Sequence, residues 1–290
     1  MTPGVRNLFG RTETREWPES RPSAWHVLAA VEQATRFASL FENERDAVLL
    51  YHSVGGVPGM NYRWDLPVSV FRDQIRRLAE RYELVDLGTL ATTRDPSRKR
   101  IAITFDDGFR NVYENALPVL AEFDAPATLF VNPAFVDDEN ADQLRARHDL
   151  PPSAHDISLT RDQLREIAAD ERYTVGNHTF SHPDLSELPN GDAVREEVVD
   201  AKRWLEERFD VSVDCFSYPY GRVDERAAEV VAETHDVVVT SEPSLVGSPP
   251  DPLSVPRLDA CLPATTVGFE VTDVAARLRS AARRVGGGAE

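Results

Sequence analysis

Three short segments of this 290-residue chain gather side chains that can do chemistry. TFDDG (104–108) sets two carboxylates side by side, Asp106 and Asp107. At the end of a strand, adjacent carboxylates point in different directions. One can then bind a divalent cation while the other takes a proton from a water on that cation. The alternative is a helix N-terminus, where Asp is favoured by unpaired N–H groups and the macrodipole. NHTFSH (177–182) spaces His178 and His182 as i, i+4. On one helical turn both imidazoles would face the same way, a common zinc-ligand arrangement, although two histidines satisfied by a loop and by capping would read the same. SYPYG (217–221) marks a tight turn around Tyr220. Such a turn can aim backbone N–H groups into a pocket as an oxyanion hole, or be a turn and nothing more.

The elements that must position these segments alternate along the chain. DAVLLY (46–51), RIAITF (100–105), ATLFVN (127–132), YTVGN, CFSY, DVVVT and LSVPRL read as strands, rich in β-branched and apolar residues. Helices are expected over 23–41, 68–82, 111–122 with an interruption at Pro118, 160–170, 192–209, 224–234 and 271–285. Residues 137–158 read as a long loop, and 1–22 and the GGGAE tail as loose ends. Strands alternating with helices imply parallel strands with helical crossovers. In such sheets, open or closed, active sites lie at the C-terminal strand ends, where all three segments fall.

Bulk properties narrow the partners. The formal net charge is −17, which repels phosphate backbones and anionic headgroups, so nucleic acid and bare membrane are excluded as expected partners. Only Lys99 and Lys202 are lysine. An acidic, lysine-poor surface is expected of a protein adapted to salt, the alternative being a GC-rich genome with ordinary acidity. Cys215 and Cys261 read as two buried thiols, with a single bridge as the alternative. No apolar leader and no run near the ~18 residues of a membrane span is visible, so a cytoplasmic location is expected.

Taken together, TFDDGFRNVYENALPVLAEFDAPATLFV, VGNHTFSHPDLSEL and CFSYPYGRVD resemble, in order and content, three motifs of the polysaccharide deacetylase family, the NodB-homology deacetylases of carbohydrate esterase family 4. LLYHSVGG and LPVSVFRDQIRRLAERYELVDLGTL resemble the lead-in of the poly-N-acetylglucosamine deacetylase subgroup. The resemblance runs from about residue 46 to about residue 260. It implies an α/β fold, a distorted (β/α) barrel with fewer than eight complete units. It divides the chain into an extension with one amphipathic helix (1–45), the deacetylase domain (46–265), and a C-terminal helix with a disordered tail (266–290). It implies a divalent metal, zinc foremost, on Asp107, His178 and His182. Asp106 becomes the catalytic base and the Tyr220 N–H the oxyanion donor. The implied reaction is hydrolysis of the N-acetyl group of an amino-sugar polymer or glycoconjugate.

Two positions depart from the family pattern. Where many members carry an Arg that pairs with the base, this chain has Ser217; Arg257 is the candidate replacement, a surface arginine the alternative. The late Leu-x-His that supplies the general acid has no counterpart in TTVGFEV (265–271). His52, after the first strand, is the candidate acid, a core or supporting histidine the alternative. His26, His148, His155 and His235 lack motif context and read as structural or exposed. Two rival functions stay open: the same metal chemistry on a lipid-linked sugar or small amide, and a sugar-binding module with a decayed site.

Overall fold

A computed structural model of the chain describes residues 24–38, 45–57, 59–60, 64–95 and 97–286. The loose extension expected over 1–22 and the end of the tail lie outside these residues. In chain order the elements are α1 (Ala24–Thr35), β1 (Ala47–Tyr51), β2 (Ser53–Val54), β3 (Asp65–Leu66), α2 (Val68–Ala79), β4 (Glu83–Leu84), α3 (Leu87–Thr92) and β5 (Arg100–Phe105). Then follow α4 (Leu117–Glu122), β6 (Ala127–Val131), α5 (Ala141–Arg147), α6 (Arg161–Ala168), β7 (Tyr173–Asn177), α7 (Gly191–Phe209) and β8 (Cys215–Ser217). The chain closes with α8 (Glu225–Thr234), β9 (Val237–Val239), β10 (Leu258–Asp259), α9 (Ala264–Glu270) and α10 (Asp273–Gly286).

One parallel sheet runs β10-β1-β5-β6-β7-β8-β9, with β4 also on β5. β4 and β6 share β5: β4 takes its start (Glu83↔Arg100, Leu84↔Ile101) and β6 its end (Thr104↔Thr128, Phe105↔Leu129). All six β5 residues are buried, as a strand covered on both faces requires. The sheet curls until one segment touches both ends. Val255 bridges Val239, while three residues later Leu258 pairs with Leu49 of β1. The result is an incomplete (β/α) barrel, the fold class that the sequence resemblance implies. Cys215 and Cys261 are buried and unbridged. Among the described residues no helix is long and apolar enough to cross a membrane.

Several local expectations need correction. The stretch 137–158 is not a plain loop, because α5 lies inside it. That helix is too short, and buries too little (Ala141 and Leu144), to leave a periodic signal. The helix expected over 111–122 is a π-turn, Val112–Ala116, running into α4. Pro118 sits in the first turn of α4, where its missing N–H costs nothing. Of LSVPRL (253–258), only Leu258 joins a ladder strand, which Asp259 completes. The α9 helix went unread in the sequence. It carries Phe269, against which Trp25 of α1 stacks edge-on at 5.1 Å, while the Trp25 Nε1–H donates to Glu270.

Candidate active site

The site grows from the C-terminal ends of the strands. After β5 the ladder extends one residue further, with Asp106 N donating to Tyr51 O at 3.0 Å. The chain then turns sharply through left-handed Asp107 (φ 70°) and Gly108 (φ 63°). Asp is among the few non-glycine residues that tolerate this conformation. The turn sends the two carboxylates apart. Both are buried, at 4% and 2% exposure.

Asp106 points to Arg257. Nη1 donates to Oδ1 at 2.7 Å and Nη2 to Oδ2 at 2.8 Å. The remaining guanidinium hydrogens go to Thr104 Oγ1, Ser217 Oγ and the Thr240 carbonyl, so every donor is used. Burial alone would raise the Asp106 carboxyl. The charge of Arg257 and its hydrogen bonds reverse that and hold it below its ordinary value. The arginine that pairs with Asp106 is therefore supplied from beside β10, and Ser217 bridges Arg257 and Asp106.

Asp107 points to the histidines. Its Oδ1 is buried with no hydrogen-bond partner. It lies 3.6 Å from His178 Nε2 and 3.3 Å from His182 Nε2. Two ligand atoms at 2.0–2.2 Å from one tetrahedral cation stand about 3.4 Å apart, so these separations fit a shared ion. The tautomer fits too. His178 Nδ1 is 2.7 Å from the Ser217 carbonyl, which can only accept, so Nδ1 carries the hydrogen and Nε2 keeps its lone pair. Burial pushes His182 down to about 2, which leaves it neutral and able to ligate. Asp107 would be raised by burial. A hydrogen bond from His148 holds it well below the carboxylate range. An ionised oxygen with no donor and two neutral imidazole nitrogens is a donor set suited to a zinc-type cation.

The histidines do not share a helical turn, contrary to the i, i+4 expectation. They lie in the loop after β7, with Thr179 (φ 65°) and His182 (φ 61°) left-handed. Hydrogen bonds brace that loop. Asn177 Oδ1 accepts from Thr179 N, Thr179 Oγ1 accepts from His182 N, and Asn132 donates to the His178 and Thr179 carbonyls. Glu197 of α7 accepts from the N–H and hydroxyl of Ser181. The two rings end up edge-on at 4.6 Å.

After β8 the chain makes a short 3-10 turn, Pro219–Gly221, in which Tyr220 has φ 59°. The Tyr220 N–H lies in the first turn, so the turn itself offers it no acceptor. Gly221 has φ 65°, and a Cβ there would meet Ser241 Cβ at 2.7 Å, so only glycine fits. The Tyr220 ring is 55% exposed and packs edge-on against His182 at 4.8 Å.

One cavity of about 420 Å³ is lined by all seven residues singled out in the sequence, including His52. Other residues of its wall carry no signal in the sequence. Trp64 packs edge-on against His52 at 4.6 Å. Arg147 places Nη1 3.6 Å from Asp107 Oδ1, too far for a hydrogen bond. His148, read in the sequence as structural or exposed, is 6% exposed and sits with Nε2 2.7 Å from Asp107 Oδ2. No motif marks it, because it enters from the end of α5. His155 is exposed and His235 is buried away from the cavity.

A parallel barrel with a cation-ready Asp–His–His cluster and a separately held carboxylate defines the class of site. Residues 93–237, half of the chain, match the family described as polysaccharide deacetylase. The chain belongs to the polysaccharide deacetylase family. It is 28% identical over 202 residues to the protein YxkH of Bacillus subtilis, covering 68% of this chain and 64% of that one. It is 26% identical over 141 residues to the poly-beta-1,6-N-acetyl-D-glucosamine N-deacetylase of Staphylococcus aureus, covering 46% of this chain and 44% of the relative. The matched part thus spans less than two thirds of either relative. The fold is shared with the Streptococcus pyogenes deacetylase PplD (TM-score 0.65, 21% identity, 78% of this chain and 98% of that chain). It is also shared with IcaB from Ammonifex degensii (TM-score 0.63, 21% identity, 79% and 97%).

Proposed function

We propose that this chain is a metal-dependent N-deacetylase that hydrolyses the acetamide of an N-acetylated amino sugar within a polymer or glycoconjugate. The observation that carries the reading is the division of labour between adjacent aspartates. Asp107 turns an unpartnered oxygen toward two imidazole nitrogens, while Asp106 is held ionised by Arg257 and kept out of that cluster. The family membership and the named activity of the Staphylococcus aureus relative support the choice of substrate class.

Asp107, His178 and His182 would hold the cation. A divalent ion such as zinc would there supply Lewis acidity and a water of lowered pKa. Asp106 accepts the proton of the attacking water; its Oδ1 bonds Arg257 through one lone pair and keeps another, whereas Oδ2 accepts from both Arg257 and Ser217. Arg257 orients the carboxylate and keeps it ionised until that moment. The Tyr220 N–H is the donor assigned to the developing oxyanion, on the ground that its turn offers it no acceptor and fixes the backbone around it. The proton taken by Asp106 must then reach the departing amine. His52 lines the same cavity and rests neutral, because burial lowers it to about 4, so it acts as the carrier of that proton. The products are acetate and a free amino sugar.

The test is Asp106→Asn. It should keep zinc at the wild-type stoichiometry and lose about a hundredfold or more in turnover. A variant that loses its metal would reverse the roles of the two aspartates.

A further inference from the structure

His148 stands outside every motif, yet it makes the shortest bond to the candidate metal ligand. Its Nε2 is 2.7 Å from Asp107 Oδ2. An ionised carboxylate only accepts, so Nε2 carries the hydrogen and donates. The other oxygen, Oδ1, has no hydrogen-bond partner and is the one facing His178 and His182. The ring cannot readily swing away. It packs edge-on against Phe109 at 4.9 Å and lies 6.1 Å from Trp64.

Two roles are conceivable for such a histidine, and the distances separate them. Ligand atoms sharing one tetrahedral cation stand about 3.4 Å apart. The Asp107 Oδ1 to His178 and His182 separations, 3.6 and 3.3 Å, match that value. The Asp107–His148 separation of 2.7 Å does not; it is the length of a charge-assisted hydrogen bond.

We propose that His148 is a positioning residue: its Nε2–H occupies Oδ2 of Asp107 and so commits that carboxylate to bind the cation through Oδ1 alone. The inference rests on the metal-site reading above. A carboxylate without this bond is free to rotate or to bind through both oxygens. Partners of this kind are typically worth tenfold to a hundredfold in metal affinity. The α5 segment would thus brace the metal site.

The experiment measures zinc affinity of the full chain by competition with a chromophoric chelator, and the cobalt absorption spectrum, for wild type, His148→Leu, His148→Gln and His178→Ala. Glutamine can put an amide N–H where Nε2–H stands. His148→Leu should weaken zinc about tenfold to a hundredfold. His148→Gln should recover most of that loss, with a cobalt spectrum like that of wild type. If His148→Leu binds zinc as tightly as wild type while His178→Ala does not, the positioning role is wrong. If His148→Gln is as weak as His148→Leu, or its cobalt bands change as on loss of a ligand, His148 is itself a ligand and the proposal is overturned. Should leucine prevent folding, as a melting curve in chelator would show, the glutamine variant decides alone. Unchanged zinc binding in His178→Ala would instead overturn the metal-site reading.

Discussion

Arg257 and Asp106 form a buried bidentate pair, 151 residues apart in sequence, with nitrogen–oxygen distances of 2.7 and 2.8 Å. The guanidinium is 1% exposed, and its other donors are all taken. Arg257→Lys keeps the charge but cannot make two parallel bonds. Turnover should fall by about tenfold or more while metal content stays the same, since a misplaced base is costly. Arg257→Met leaves a buried carboxylate unpaired and should cost about 3–5 kcal/mol of stability at neutral pH, measured by urea unfolding. A lysine variant with wild-type turnover would mean that the pair only supports the fold.

His52 gives the second prediction. If it carries the proton to the leaving amine, His52→Gln should lose about a hundredfold to ten-thousandfold in turnover. Zinc binding should be unchanged, because His52 is not part of the Asp107–His178–His182 cluster. A loss smaller than tenfold would leave proton delivery to Asp106 alone.

His235, outside the cavity but bonded to Asn177 of the strand that leads to His178, gives a prediction about pH. It is 3% exposed, its Nε2 accepts from the Asn177 amide N–H, its Nδ1 shares a hydrogen bond with the Thr234 hydroxyl, and burial lowers it to about 3. In the unfolded chain a histidine takes up its proton near pH 6.5. Between about pH 6.5 and 3 the unfolded state therefore binds the extra proton, and stability falls as pH falls, by about 1.4 kcal/mol per pH unit for this group. Urea unfolding of metal-free protein from pH 6.5 to 4.5 should show a slope for His235→Gln that is shallower by about that amount. Identical slopes would mean that His235 ionises normally in the fold.

The parts of the site that were legible in the sequence are those that follow strands. RIAITF, YTVGN and CFSY are apolar runs with clear ends, and parallel strands bring their C-termini to one mouth. Arg257 stands out in the sequence only because Ser217 falls where the resemblance implies an arginine beside Asp106. His148 was not legible for two physical reasons. Helix α5 is short and buries only Ala141 and Leu144, so no periodicity announces it. The contact that gives His148 meaning joins positions 148 and 107, and nothing local to either encodes it. The His178–His182 pair was legible as a spacing but not as a shape. Left-handed Thr179 and His182 make a braced loop where the spacing alone suggests a helical turn.

The most direct measurement is acetate released from N-acetylglucosamine oligomers by the purified chain, taken before and after chelation and after zinc is restored. One free amine per acetate is expected, with loss of release in chelator, recovery with zinc, and no recovery in His178→Ala. Acetate release that is indifferent to chelator, or no release from any N-acetylated sugar with zinc bound, would contradict the metal-dependent deacetylase reading.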